Sequence, residues 1–244
     1  MTGSCFTPNL IIHSRKYVSF YLEKTVPTQV IGISGSPVPN SNTDRLVQAV
    51  LHSTGLATEF IKLPQRNIRG CIACMGCVSD NICKVQDDFP DIAQKVKQAR
   101  ALVVGGYPPY GSLDSFTKAF LERLFSLRHQ HGCNQGKLAV TVVTGNGRGT
   151  PGIDVASAQI KTALTHEGME VIGQLKVTGN QKCASCPYIQ TCSMSALPRL
   201  FGGDMNAVPQ GYCRVEDQKA TWEQAKKLGR EIAQRVDGNG ENTV

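Results

Sequence analysis

The chain has 244 residues, 41% of them hydrophobic and 18% charged, which is enough to bury the core of a globular domain. Its first residues lack the apolar centre of a secretory leader and no later stretch is long enough to cross a bilayer, so we expect a cytoplasmic protein that does not associate with membranes. The formal net charge is +7, but the basic residues are scattered, which argues against nucleic acid as a partner.

Short β-branched segments alternate with amphipathic helical segments from Thr28 onward, a pattern typical of βαβ units. The predicted strands are Gln29–Ile33, Thr58–Leu63, Ala101–Gly105, Leu138–Thr144 and Glu170–Val177. We therefore predict an α/β fold, a flavodoxin-like, doubly wound five-stranded parallel sheet of order 2-1-3-4-5, with two cysteine-rich loop insertions.

Helices are predicted where apolar residues recur at helical spacing. The apolar stripes are Leu46, Val47, Val50 and Leu51; Phe89, Ile92, Ala93 and Val96; Phe116, Phe120, Leu124 and Leu127; Ala156, Ile160, Ala163 and Leu164; and Ala225, Leu228, Ile232 and Val236. Asp87 or Asp88 is placed to cap the second helix, and Gly168 to end the fourth. The expected divisions are an extension at 1–27, a domain at 28–237 with cysteine loops at 68–84 and 180–213, and a disordered tail at 238–244.

The segments that follow the strands are the candidate ligand-binding loops, because an open parallel sheet binds its ligand beyond the carboxyl ends of its strands. After the first strand, SGSPVPNSNTDRL supplies polar groups at a helix N-terminus, which is typical of phosphate binding. The candidate ligands there are Ser34, Ser36, Ser41, Asn42 and Thr43. The loop is neither a dinucleotide-binding glycine motif nor a Walker motif, so a flavin mononucleotide (FMN) phosphate fits better than ATP; a loop that only caps the helix is the alternative.

Two further loops are suited to a flavin ring. After the third strand, aromatic and rigid residues could cover the ring face; they are Tyr107, Pro108, Pro109, Tyr110, Gly111 and Ser112. After the fourth strand, backbone donors and one cation could bind the polar ring edge; they are Thr144, Gly145, Asn146, Gly147 and Arg148. The three loops together predict FMN as the cofactor.

Four cysteines lie within CIACMGCVSDNIC, after the second strand. Cys71, Cys74, Cys77 and Cys83 have the spacing C-x2-C-x2-C-x5-C, which is typical of iron-sulfur ligands. Disulfides fit poorly, because the short gaps would strain the loops and a cytosolic protein keeps its thiols reduced. Zinc is the serious alternative, since four thiolates also suit a tetrahedral structural site.

A second set of cysteines follows the fifth strand. Cys183, Cys186 and Cys192 repeat the C-x2-C-x5-C part of the first spacing. In the predicted strand order the two cysteine loops lie at opposite ends of the sheet, about 19 Å apart by strand spacing, so they cannot share one cluster within a subunit. We predict Cys213 as the fourth ligand of a second site, which holds an iron-sulfur cluster or zinc or leaves one iron open.

Three of these motifs together resemble the iron-sulfur flavoprotein family, a branch of the NADPH-dependent FMN reductase-like proteins. The resemblance runs from about Val30 to Thr144 and rests on GSP…NSNT, the four-cysteine run followed by KVQDDF, and GSLDSFTKAFLERL. It implies FMN at the strand ends, a 4Fe-4S cluster on the first cysteine set, electron transfer between the two, and a homodimer or homotetramer. Val38 stands where the family often has an arginine, so hydroxyls and backbone amides are expected to bind the phosphate.

The predicted function is an oxidoreductase that passes electrons between FMN and one or two 4Fe-4S clusters, with NAD(P)H or a ferredoxin as donor. One alternative is an NAD(P)H-dependent FMN or quinone reductase whose cysteine loops hold structural zinc. Another is a non-enzymatic redox or metal sensor. No residue stands out as a catalytic acid or base.

Overall fold

The computed structural model describes residues 28–130, 132–145, 151–179, 183, 186–189, 191–195 and 213–238, so the predicted extension at 1–27 lies outside the described residues. Its sheet has five parallel strands in the order 2-1-3-4-5, which confirms the predicted topology. The strands are β1 (Val30–Ser34), β2 (Thr58–Lys62), β3 (Ala101–Gly106), β4 (Leu138–Gly145) and β5 (Glu170–Thr178). Each boundary lies within one residue of its prediction.

Helices cover both faces of the sheet. They are α1 (Asn42–His52), α2 (Phe89–Gln98), α3 (Ser115–Arg123), α4 (Gly152–His166) and α5 (Lys219–Gly238). Apolar residues of α2, α3 and α4 form one core with one face of the sheet, and those of α1 and α5 form a second core on the other face. Residues of the inner strands β1, β3 and β4 therefore alternate between two buried faces, which explains why these strands are almost continuously apolar.

Capping interactions define the ends of three helices and so the limits of the loops that connect them to the strands. Ser41 and Asp44 form a capping box at the start of α1. Asp114 caps α3 by accepting from the amide of Thr117 at 2.8 Å. Gly168 follows α4 at φ +81°, in the left-handed conformation that favours glycine, as predicted.

Three details differ from the sequence predictions. Asp88 occupies the N-cap of α2 without a capping side-chain bond, and Asp87 instead accepts from the amide of Phe89 at 3.1 Å. Phe116 is 37% exposed rather than part of the core, and α3 ends at Arg123, where the chain continues as a tighter 3-10 turn. Helix α5 extends through Gly238, so the predicted tail begins one residue too early, and residues 239–244 lie outside the described part.

Candidate functional site

At the carboxyl edge of the sheet, where the loops that follow β1, β3 and β4 begin, direct hydrogen bonds join the end of β1 to β3 and the start of α1 to β4. The amide of Gly35 donates to the carbonyl of Gly105 at 2.9 Å. The hydroxyl oxygens of Thr43 and Thr144 lie 2.6 Å apart, and both side chains are buried. The sequence prediction that these loops share one edge is therefore confirmed, since the parallel strands end side by side.

The phosphate loop, residues 35–41 between β1 and α1, uses its hydroxyl groups internally. Ser34 is fully buried and donates to Asp44 Oδ1 at 2.6 Å. Ser41 accepts from the amide of Asp44 at 3.1 Å, and Ser36 accepts from the amide of Val38 at 3.4 Å. The first amides of α1, at Asn42 and Thr43, have no acceptor within the helix, and they are the donors best placed for an anion.

Lys62, the last residue of β2, reaches the phosphate loop, and sequence reasoning missed it. Its Nζ donates to the carbonyl of Val38 at 2.7 Å and to Asp44 Oδ2 at 2.5 Å, and its side chain is only 9% exposed. Lys62 is the register partner of Ser34 in the parallel pair of β1 and β2. The positive charge of Lys62 therefore lies beside the phosphate loop, whose own residues 35–41 include no lysine or arginine.

Asn42 connects the phosphate loop to the segment that carries Cys213. Its Nδ2 donates to the carbonyl of Cys213 at 2.8 Å, and its Oδ1 accepts from the amide of Val215 at 3.3 Å. Arg45 forms an ion pair with Glu216 at 2.5 Å in the same contact. The side chain of Asn42, which was predicted to bind phosphate, is thus engaged with the 213–216 segment.

The tyrosine loop, residues 107–114, is fixed at its end by Asp114. This buried carboxylate accepts from the amide of Tyr107 at 3.1 Å and from the Thr117 hydroxyl at 2.9 Å. Burial raises the pKa of Asp114 above its usual value. The pKa of Tyr107 is also raised, mainly by burial and to a lesser extent by the negative charge of Asp114. Tyr110 is fully exposed at φ +52°, so its ring is the one that stands free at this edge.

The other residues predicted to contact the flavin ring differ in how far the structure describes and buries them. Pro108 packs against the backbone of β4 and α4, since a Cβ added at Gly145 would lie 2.9 Å from its ring. Pro109 is half-buried, whereas Gly111 and Ser112 are exposed. Asn146, Gly147 and Arg148 lie outside the described residues, so their predicted contact with the ring edge stays a prediction.

The cysteine run, residues 71–83, brings its four thiol side chains to one small cavity. Cys71, Cys74, Cys77 and Cys83 all line it. Cys77 is buried, Cys83 is half-buried, and the other two are exposed. Burial raises the pKa of the Cys77 thiol above its usual value; a backbone hydrogen bond opposes this, and the neighbouring thiols add to it. Within the described residues, no group of three or more ligand side chains is already spaced to hold a metal ion.

The backbone of the cysteine run is unusual. Ala73, Met75 and Asn81 all have positive φ, between 52° and 57°, although none of them is glycine. The amide of Ala73 donates to Cys71 Sγ at 3.5 Å. Left-handed residues alternating with others are typical of backbone nests, which turn amides toward a bound anion. Such strain usually persists only where a ligand or function requires it.

Arg123, at the end of α3, is fully buried beside the cysteine cavity and lines it. Its Nη1 and Nη2 contact the two oxygens of buried Asp87 at 2.6 and 3.0 Å, and Nη1 also donates to the carbonyl of Arg69 at 2.9 Å. The guanidinium lies 4.6 Å from the centre of the Phe89 ring. Among the described residues, Arg123 Nε has no hydrogen-bond partner.

Charges around Arg123 agree with this geometry. Burial alone would raise the pKa of Asp87, but hydrogen bonds from Arg123 and from two backbone amides hold it below its usual value. Burial alone would lower the pKa of Arg123, but Asp87 and then the neighbouring Cys83 thiol raise it. The buried guanidinium of Arg123 therefore lies next to the thiols of the cysteine run.

These observations fit an anionic iron-sulfur cluster at the cysteine run. Four thiol side chains line one cavity, the backbone has a nest-like conformation, and a buried cation has an unpaired N–H there. Ile72 and Met75 line the cavity, and four large apolar side chains of the cysteine run are exposed: Ile72, Met75, Val78 and Ile82. Sequence reasoning found the thiols by their spacing but missed Arg123.

The second cysteine set stays a prediction. The amide of Cys186 donates to the carbonyl of Cys183 at 3.1 Å, and that of Cys192 donates to the carbonyl of Tyr188 at 3.0 Å, so the described parts form turns. Much of the loop, including residues 196–212, lies outside the described residues. Elsewhere, no helix in the described part of the chain is both long and apolar enough to cross a bilayer.

Comparison with known proteins points to one group. The sequence model of the NADPH-dependent FMN reductase family matches residues 28–182. The chain is 28% identical over 217 residues to an iron-sulfur flavoprotein of Methanocaldococcus jannaschii, which covers 85% of this chain and 97% of the relative. It is 25% identical over 156 residues to an iron-sulfur flavoprotein of Methanosarcina thermophila, which covers 62% of this chain and 78% of that relative.

A solved structure supports the same architecture. The crystal structure of RosB with a bound intermediate matches with a TM-score of 0.59, covering 89% of this chain and 82% of RosB. The sequence identity is 14%, so this likeness supports the fold alone.

Proposed function

Because the chain belongs to the NADPH-dependent FMN reductase family and is an FMN-dependent oxidoreductase, we propose that its function is electron transfer between FMN and a 4Fe-4S cluster. The FMN site lies at the carboxyl edge of the sheet. The cluster ligands are Cys71, Cys74, Cys77 and Cys83. The observation that carries the proposal is that all four thiol side chains line one cavity with the buried cation of Arg123.

The residues of the carboxyl edge divide the binding of FMN among them. The amides that begin α1 bind the phosphate, and Lys62 supplies a nearby positive charge. The tyrosine loop contacts the ring, with Tyr110 free to lie against it. Asp114 holds the backbone of that loop by accepting from the amide of Tyr107. Bound FMN exchanges electron pairs with one partner and single electrons with another, which lets it connect a two-electron donor to a cluster.

The second cysteine set extends the proposal. Strands β2 and β5 form opposite edges of the sheet, and roughly 19 Å of strand spacing separates the loops that follow them. Cys183, Cys186, Cys192 and Cys213 would therefore bind their own group, a second cluster or zinc. The link from Asn42 to Cys213 ties this loop to the phosphate loop.

The partners follow from the same chemistry. NAD(P)H or a ferredoxin would supply electrons, in a reducing compartment such as the cytoplasm that keeps the thiols reduced. The exposed apolar side chains around the cysteine run would meet either the electron partner or a second subunit of a homodimer or homotetramer.

Anaerobic purification with iron, acid-labile sulfide, zinc and FMN analysis tests this function. We expect FMN and at least four irons per chain in the unaltered protein, as one cluster requires. Cys77→Ala should lose most of the iron of the first site and keep FMN, because the two sites follow different strands. Cys133→Ala is the matched control: that thiol accepts from Asn81 but lies outside the ligand set, so iron should stay.

Other outcomes identify the alternatives. A yellow protein with zinc and no sulfide would favour an NAD(P)H-dependent FMN or quinone reductase with structural zinc. A colourless protein without FMN would favour a sensor. Full iron retention in Cys77→Ala would contradict the ligand assignment.

A further inference from the structure

Arg123 has a buried N–H donor, at Nε, that no described residue accepts. Nη1 and Nη2 are bonded to Asp87 and to the carbonyl of Arg69, whereas Nε has no partner in the described part of the chain. The residue is 0% exposed, so water does not reach this N–H from the surface. Leaving a buried donor unpaired is costly, and an unpaired one in a cavity points to a missing acceptor.

The cavity supplies sulfur as that acceptor. Arg123 and Cys83 both line it, whereas Asp87 is not among its described lining residues. In the buried ion pair, Arg123 therefore faces the cavity with the thiols, whereas Asp87 does not line that cavity. A cation so placed acts on the cavity through little intervening water.

We propose that Arg123 is a positioning residue that sets the reduction potential of the cluster, by donating its Nε–H to sulfur at Cys83 and by placing a buried positive charge beside it. The inference rests on the proposed function, since it needs the cluster. Net charge and hydrogen bonds to sulfur are the protein's main means of setting such potentials.

The sign follows from the charge change. On reduction, one electron from reduced FMN would enter the cluster, no bond would be made or broken, and the net charge of cluster plus thiolates would become more negative by one. A buried cation and an N–H donor stabilise the more negative state more strongly, so Arg123 raises the potential. Removing either contribution lowers it.

The test is a potentiometric titration with dithionite, followed by electron paramagnetic resonance, on anaerobically purified full-length protein. Arg123→Gln removes the charge and should disfavour reduction at least about tenfold, which is ~59 mV for a one-electron couple. Arg123→Lys keeps the charge but lacks Nε–H and the planar fork, and should disfavour reduction roughly threefold. The Lys variant keeps a charged partner for Asp87, so it remains informative if the Gln variant does not fold.

Arg235→Gln is the matched control. Arg235 also forms a two-pronged contact with a carboxylate, that of Glu170 at 2.6 and 2.9 Å, but it is exposed and lies on α5, away from the cysteine run. Its loss should leave the potential unchanged. A fall in both Arg123 variants, with the control unchanged, supports the inference.

The failures are distinguishable. If the unaltered protein contains no iron or sulfide, the proposed function falls and the inference falls with it. If the cluster is present but Arg123→Lys keeps the potential of the unaltered protein, the inference is overturned and the proposed function stands. A purely structural role would change the yield of folded protein and leave the potential of the folded fraction unmoved.

Discussion

The carboxyl edge of the sheet and the cysteine run hold their functional groups in opposite ways. At the carboxyl edge, buried Ser34 donates to buried Asp44, and buried Asp114 accepts from the amide of Tyr107, so hydrogen bonds within the protein fix the loops. In the cysteine run, Cys71 and Cys74 are exposed and Ala73 has a left-handed backbone. The first region is organised by hydrogen bonds between buried groups, whereas the second exposes two of its four thiols.

This difference teaches where each site obtains its order. A preorganised loop binds its ligand without first paying for its own folding, and we expect the FMN site to keep its shape when empty. A thiolate site often gains its final geometry from the metal, because the ligand side chains repel one another until the metal binds. Substitutions at the carboxyl edge should therefore affect stability and FMN together, and substitutions of the thiols in the cysteine run should affect iron and leave FMN in place.

Gly35→Ala should have the largest effect. A Cβ at this position would lie 2.0 Å from Thr117 Oγ1 and 2.4 Å from Asp114 Oδ1, so the phosphate loop must move away from the tyrosine loop. We expect a loss of roughly 3 kcal/mol in the free energy of unfolding. FMN affinity should fall on the order of 100-fold. Denaturant unfolding and FMN fluorescence titration measure the two effects.

Gly70→Ala is the control for this variant. A Cβ there would meet only Glu122 Oε2, at an ordinary 3.5 Å, so both stability and FMN affinity should stay close to those of the unaltered protein. Normal FMN affinity in Gly35→Ala would show that the carboxyl edge is not as tightly organised as the contacts indicate.

Lys62→Met should have the next largest effect. It removes the ammonium that bonds to Asp44 and to the carbonyl of Val38, leaving a nearly buried carboxylate without its ion pair. The expected cost is about 2 kcal/mol of stability. FMN should bind about tenfold more weakly, since the phosphate loses a nearby positive charge. Iron content should not change.

Lys95→Met tests whether burial of the ion pair is the reason for the large stability loss expected in Lys62→Met. Lys95 also forms an ion pair at 2.5 Å, with Glu59, but its side chain is 42% exposed. Such a pair is worth little in water, so this variant should lose no more than about 0.5 kcal/mol. Equal losses in the two lysine variants would contradict the assignment of Lys62 to the phosphate loop.

The sequence predicted the sheet closely because its inner strands β1, β3 and β4 are buried on both faces and stand out as short apolar runs. It also predicted the cysteine set, since ligand spacing is a property of the chain itself. Lys62 could not be found this way. Its importance depends on the register that places it beside Ser34, and that register exists only once β1 and β2 pair.

The other gaps have related causes. Arg123 reads in the sequence as an ordinary basic residue at a helix end, although burial and Asp87 make it part of the cysteine cavity. Ser34 and Thr43 have the hydroxyl groups that phosphate binding needs, but residue type does not show which partner a hydroxyl faces. In the structure they face Asp44 and Thr144.

Ala73→Gly should have the smallest effect, and an effect of the opposite sign. Ala73 has φ +52°, which costs a residue with a Cβ roughly 1 kcal/mol and costs glycine little. Glycine also loses more entropy on folding, so we expect a gain below about 1 kcal/mol in the unfolding free energy of the cluster-free protein. FMN affinity and iron content should be unchanged.

Ala49→Gly makes the same chemical change in α1, where the backbone is right-handed and the residue is buried. There it should cost about 1 kcal/mol, because glycine weakens a helix interior. Opposite signs for the two variants, measured by denaturant unfolding, would show that the left-handed backbone at Ala73 stores strain and that the right-handed backbone of α1 at Ala49 does not. If Ala73→Gly also destabilises the cluster-free protein, the left-handed backbone is not a source of strain, and the contrast between the two regions rests on exposure alone.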